Sequence, residues 1–120
     1  MKYLLMIYGN EEIFGAFPDD VFQQLVRDTD ALQQELRESG EWICAYGVLD
    51  QVNAKTVSVR DGVPAVTDGP YLEAKEYLGS FDIIDCESLE RALEIAARVP
   101  WARYGEVEVR PLMAEGGAEM

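Results

Sequence analysis

The chain has 120 residues, 48% of them hydrophobic, and 23 acidic against ten basic residues give a formal net charge of −13. That length and apolar content make one domain able to bury a core and exclude a disordered chain. Without clustered Lys and Arg, the chain is no general binder of nucleic acid or anionic membranes; its acid serves solubility, meets a basic partner or steers a cationic ligand.

Residues 2–8 read as a first strand that is apolar on both faces, with Tyr3, Leu5 and Ile7 on one and Leu4, Met6 and Tyr8 on the other. Residues 10–17 connect it to a helix over 18–40, where Pro18 suits the first helical position, Asp19 and Asp20 favour the first turn and Gly40 terminates. Phe22, Leu25, Val26, Leu32 and Leu36 form one apolar stripe along that helix, which marks core and not a binding surface. A second strand over 41–49 is again apolar on both faces, Trp42, Cys44, Tyr46 and Val48 against Ile43, Ala45 and Leu49. A turn at 50–53 leads to an alternating third strand over 55–60, and Asp61-Gly62 makes a hairpin-type turn.

A short extended piece over 63–67 reaches Asp68, and residues 77–85 supply the next strand. Ser88 caps a second helix with the stripe Leu89, Ala92, Leu93 and Ala96, which Pro100 ends. The last strand runs over 105–112, closing a domain of residues 1–112, and the Gly- and Glu-rich tail 113–120 is expected to fray. The order βαβββαβ is one strand more than the ferredoxin-like βαββαβ unit, an α+β arrangement with two helices on one face of a sheet. The second apolar face of the first two strands then needs cover, and a second copy of the sheet is the simplest cover.

Histidine is absent, which removes the commonest general base, the commonest metal ligand and every Ser–His or Cys–His nucleophile pair. Cys44 and Cys86 form no thiolate cluster and read as small buried hydrophobes in a reduced, cytoplasmic setting. The apolar run 3–8 is too short to span a membrane, and Gly9-Asn10-Glu11-Glu12 follows it in place of a signal-peptidase site. No glycine-rich phosphate loop occurs. No metal and no cofactor is expected, so any chemistry rests on carboxylates, Lys, Tyr, Arg or a lone Cys.

The densest concentration of such groups is the stretch 66–79, Val-Thr-Asp-Gly-Pro-Tyr-Leu-Glu-Ala-Lys-Glu-Tyr-Leu-Gly. Asp68-Gly69-Pro70 asks for a sharp reversal, with Gly tolerating positive φ, Pro fixing its own and the Asp68 carboxylate placed to hold backbone N–H groups in an Asx-type turn. Asp68, Glu73 and Glu76 offer carboxylates to a general base or a hard-metal site, though their spacing is no recognised metal loop, while Lys75 suits an anionic group or an ion pair with its neighbours. Arg110 and Glu108 alternate with Val107 and Val109, so they point to the opposite sheet face.

This stretch resembles the Asp-Gly-Pro-Phe (DGPF) subgroup of the YCII-related domain family. Residues 1–9, 35–40, 56–62, 78–85 and 105–112 extend the resemblance over nearly the whole chain. It makes Gly69, Pro70, Tyr71 and Gly79 the structural signature, and it implies a homodimeric α+β barrel with two sheets facing each other. In such a barrel Arg110 and Tyr8 line the interior, and with Asp68, Glu73, Lys75 and Glu76 they outline a small-molecule site. Broader relatives carry a His–Asp pair proposed as catalytic; Thr29 stands where they often have the histidine, so that chemistry does not transfer. Tyr71 replaces the usual Phe, Ala74 a usual Thr and Ser80 a usual second Gly. The resemblance also implies the alternative of a non-catalytic regulatory module partnered with extracytoplasmic-function sigma factors.

Overall fold

Of the two strands that are apolar on both faces, the first lies inside the sheet and the second at its edge. In the computed structural model, which describes residues 1–117, the elements are β1 (Lys2–Gly9), α1 (Glu11–Phe14), α2 (Asp19–Ser39), β2 (Trp42–Gly47), β3 (Lys55–Arg60), β4 (Val63–Asp68), β5 (Tyr77–Asp85), α3 (Leu89–Arg98) and β6 (Glu106–Pro111). Short 3₁₀ turns occupy Gln51–Asn53 and Pro100–Arg103. The sheet order is β2-β5-β1-β6, antiparallel throughout, which is the ferredoxin-like arrangement. The expected additional strand does not join this sheet. β3 and β4 pair only with each other, because Asp61 and Gly62 at φ 51° and 76° form the two-residue turn that folds one straight back on the other.

Alternation decides which face is covered. Tyr3, Leu5, Ile7 and Ile84 are buried with Leu32 and Leu36 of α2 and Ala92, Ile95 and Ala96 of α3. Phe22 and Val26, expected in the core, lie on the flank of the α2 stripe and stay partly exposed, while Leu25, Leu32 and Leu36 point inward. In α3 the buried set is Ala92, Ile95 and Ala96, continued by Val99 just past its end, and the expected Leu89 and Leu93 are half-exposed. Two stripes that share Ala92 and Ala96 both satisfy helical spacing, and they lie about 60° apart around the axis. The helix buries the one holding β-branched Ile95 and Val99.

Capping follows the sequence closely. Ser88 Oγ accepts from the Arg91 N–H at 3.1 Å, and Gly40 ends α2 at φ 82°. Pro18 precedes α2 instead of starting it. In the connection after β1, Asn10 Oδ1 accepts from the Ile13 N–H at 2.9 Å and caps the short α1, where only a loop was expected. The ring of Phe14 then lies over two strand glycines: a Cβ on Gly9 would come within 2.3 Å of it, and one on Gly79 within 2.9 Å.

The entry to β2 is tied to α3 by Arg91, whose Nε and Nη2 donate to Glu41 Oε2 and Oε1 at 2.9 and 2.8 Å. That guanidinium holds the Glu41 carboxyl down at about 2. Of the tail expected to fray, residues 114–117 make one turn, closed by the Gly117 N–H donating to Ala114 O at 3.0 Å, and 118–120 lie outside the described residues. No helix among the described residues is long and apolar enough to cross a membrane.

Candidate functional site

β4 delivers Asp68 and Gly69 to the start of the acidic loop, and the loop is stitched to the segment that precedes the hairpin. Gly69 sits at φ 94°, its N–H donates to Ala54 O at 2.8 Å, and its carbonyl accepts from Thr56 Oγ1 at 2.9 Å. The positive φ is the reason for glycine here. The Asx-type turn expected of Asp68 does not form. Its carboxylate instead meets Lys55, the residue directly opposite it in the hairpin register.

Facing this loop is the Gln51–Asn53 turn, capped by Asp50, whose Oδ1 accepts from the Val52 N–H at 2.9 Å. Two open clefts run between loop and turn and share Asp50, Gln51, Pro70, Ala74 and Tyr77. One, of 790 Å³, is lined by the charged residues Glu11, Glu12, Asp68, Glu73 and Lys75 together with Val52, Pro70 and Ala74. The other, of 590 Å³, is walled mainly by Tyr8, Val48, Leu49, Leu72 and Leu78, with Glu76 at its edge. At the junction the Tyr77 hydroxyl points at Asp50 Oδ2 across a long 3.5 Å. Burial, and then the charges of Asp50 and Glu11, push the Tyr77 hydroxyl up, so it stays protonated and acts as a donor.

The expected site residues therefore divide into three groups. Asp68, Glu73 and Lys75 share the polar cleft, and Tyr8 and Glu76 share the apolar one. Arg110 lines neither cleft. The antiparallel register sets it opposite Leu4, at the other end of β1 from Tyr8, where it pairs with Glu108 at 3.2 Å. Of the signature residues, Gly69 and Pro70 line the clefts, Gly79 seats Phe14, and Tyr71 is exposed. Lys75 forms no ion pair among the described residues, so the expected pairing with its acidic neighbours is absent.

Two residues escaped the sequence reading. Asp50 looked like an ordinary turn residue, and only folding brings it to Tyr77. Asp82 stands opposite Leu5 and Ala45 on the helix-covered face, where burial pushes its carboxyl up to about 6. An acid in the middle of Phe81-Asp82-Ile83-Ile84 was the available signal. A groove of 730 Å³ between α2 and α3 is a weaker candidate, since its arginines are already neutralised by Arg98–Glu35 and Arg103–Asp28 pairs.

The YCII-related domain family matches residues 1–115, the four-stranded sheet, its helices and the cleft loop together. The chain belongs to the YCII-related domain family. It is 33% identical over 114 residues to an uncharacterized protein of Rhizobium meliloti (strain 1021), an alignment covering 93% of this chain and 92% of that protein. In this YCII-related domain Thr29, at the position expected to hold histidine in relatives, donates its hydroxyl to Leu25 O at 2.7 Å within α2. That hydroxyl closes a hydrogen bond inside the helix and takes no part in either cleft.

Proposed function

We propose that this YCII-related domain is a cytoplasmic homodimer that binds a small organic cation, an amine on an apolar body, in the cleft between the 68–76 loop and the Gln51–Asn53 turn. One observation carries the reading: a carboxylate-walled half and an apolar half meet at Asp50 and Tyr77. An ammonium group fits beside Asp50, Glu11 and Glu73, while the body of the ligand packs on Leu49, Leu72 and Tyr8. Lys75 is the one cation among the described lining residues, and it disfavours a second positive charge at that end of the ligand. The −13 charge raises the local concentration of cations around the cleft.

The homodimer reading is supported by the uncovered sheet face, where Leu4 and Met6 of β1 stand beside Ile83 and Phe81 of β5 and Tyr46 packs on Phe81 at 5.9 Å. The free thiols of Cys44 and Cys86 suit the cytoplasm. A second reading, a regulatory module contacting a basic surface of a sigma factor, is favoured by the same net charge and would show as binding that raised salt releases.

Thermal shift and calorimetry with apolar primary amines, their N-acetylated forms and the matching carboxylates test the first reading. Amines are expected to raise the melting temperature and the other two sets to leave it unchanged. Asp50→Asn and Tyr77→Phe are each expected to weaken amine binding by about tenfold. Stabilisation by the carboxylates, or indifference to Asp50→Asn, overturns it.

A further inference from the structure

We propose that the β3–β4 hairpin is an arm that lies across the open sheet face of a second copy and roofs that copy's cleft at Tyr8. The proposal rests on the homodimer reading and adds that the site is incomplete in a single chain.

The hairpin is the least supported part of the fold. Its register sets Val57 opposite Val66 and Val59 opposite Pro64, giving one face an unbroken apolar row. Val57, Val59 and Val66 are 61%, 56% and 64% exposed, so nothing within the chain covers that row. A two-stranded hairpin is marginal in water without a packed face. An exposed apolar strand pair also invites association with whatever complementary surface is available.

Charge selects the second copy as that surface. Residues 55–68 hold Lys55 and Arg60 against Asp61 and Asp68, a net charge of zero, so the whole −13 resides on the remainder. A basic partner would be drawn to that acidic remainder and not to a neutral arm. Two copies of one strongly acidic chain meet at lowest electrostatic cost where both surfaces are neutral. The open sheet face comes close to that: Leu4, Met6, Cys44, Tyr46, Phe81 and Ile83 are uncharged, and Glu106, Glu108 and Arg110 of β6 beside them sum to only −1. A two-fold axis then makes the contact twice, arm on face and face on arm.

Shape agrees. The chain measures 49 × 42 × 18 Å with a radius of gyration of 16.5 Å. About 14 Å is expected of a folded chain this long. The short dimension is that of one sheet with one layer of helices, which leaves the other sheet face to be packed from outside.

The link to the cleft is direct. Tyr8 and Leu78 are opposite each other on the open face, and both line the apolar cleft. Anything laid along that face closes the cleft mouth. The arm is also rooted in the 68–76 loop of its own chain through the Gly69–Ala54 and Thr56–Gly69 hydrogen bonds, so seating an arm orders one cleft from below and roofs the other.

Sedimentation of the full chain and of two variants tests the arm. The wild type is expected to run at twice the 13.5 kDa chain mass at low micromolar concentration. Val57→Glu/Val66→Glu should raise the dimer dissociation constant by about tenfold or more, while Ala65→Glu, on the other hairpin face, should change it by less than about twofold. A bismaleimide should join the thiol of Val57→Cys to Cys44 of a second copy. If the Val57→Glu/Val66→Glu variant stays as tightly dimeric as wild type, the arm does not lie at the interface and the proposal falls. Loss of its far-UV circular dichroism would place the valines inside their own chain and would overturn the proposal equally. A monomeric wild type removes the dimer and the arm together, whereas failure of amines to bind removes only the cleft reading.

Discussion

The four-stranded body and the 48–76 excursion obey different rules. In the body every strand has a partner on the sheet and a helix on one face, Leu5, Ile84 and Ile95 are fully buried, and the one well-enclosed charge pair, Arg91–Glu41, is bidentate. In the excursion a lone hairpin keeps its valines in solvent, Asp68 is matched to a single exposed Lys55, and Asp50 faces Tyr77 of the body at a distance too long for a strong bond. Stability is concentrated in the first region and surplus polar and apolar surface in the second. A segment that spends apolar residues without burying them is built to meet something else.

The sharpest way to break that contrast is to hollow the body. Leu5→Ala removes a fully buried side chain beneath both helices and is expected to cost about 2–5 kcal/mol in urea denaturation. A loss below about 1 kcal/mol would mean that the core is far looser than the packing implies.

Asp82 is the exception inside the body, and its effect runs the other way. Its folded pKa of about 6 lies above the ordinary 3.8, so the native state holds this proton between roughly pH 4 and 6 while the unfolded chain has released it. The contribution is complete below 3.8 and is lost as pH rises through 6. Asp82→Asn should therefore stabilise the protein at pH 7 by up to about 3 kcal/mol, and that advantage should vanish by about pH 4. Melting curves of both proteins across this range check it; an advantage independent of pH would show that Asp82 is ionised in the folded state at all of these values.

Gly69→Ala brings the comparison to the excursion. A Cβ there meets nothing within 4 Å, so the only cost is placing a side chain at φ 94°, about 1 kcal/mol. The smallest effects belong to Asp68→Ala and Lys75→Ala, each within about 0.5 kcal/mol, since both side chains are exposed and the Asp68–Lys55 pair is solvated. Asp68→Ala unfolding the protein as readily as Leu5→Ala would make the loop part of the core and erase the distinction between the regions.

How much could be read from the residues alone divides along the same line. The five expected strands, the Ser88 and Gly40 caps and the Asp61-Gly62 turn were legible because each depends on local chemistry, whereas residues 63–67, expected only as a short extended piece, complete a sixth strand by pairing with β3. The inward stripe of α3 was read about 60° away from its true position, since Leu89 and Leu93 satisfy the same spacing as Ile95 and Val99. The cleft was half legible. The 66–79 stretch announced itself, but Asp50 reaches Tyr77 only after the hairpin closes the 27-residue separation between them, and no local pattern records that closure. Arg110 stands apart for a related reason: alternation gives the face of a strand, and only the register of β6 against β1 adds that it lies opposite Leu4, away from both clefts.

Phe14 links the two regions. Its ring fills the space left by the missing side chains of Gly9 and Gly79, on neighbouring strands, and meets Trp101 and Tyr77 edge-on at 5.9 and 6.4 Å. Gly9, Phe14 and the distant Gly79 are thus one steric lock, with Tyr77 of the cleft resting against it. A methyl group on either glycine is excluded while the ring is there, and a smaller residue at 14 opens a hole while the glycines remain. Substitutions at these three sites are therefore expected to be coupled, a change at one being tolerated best after a change at another, and each such step moves the aromatic wall against which the cleft is set.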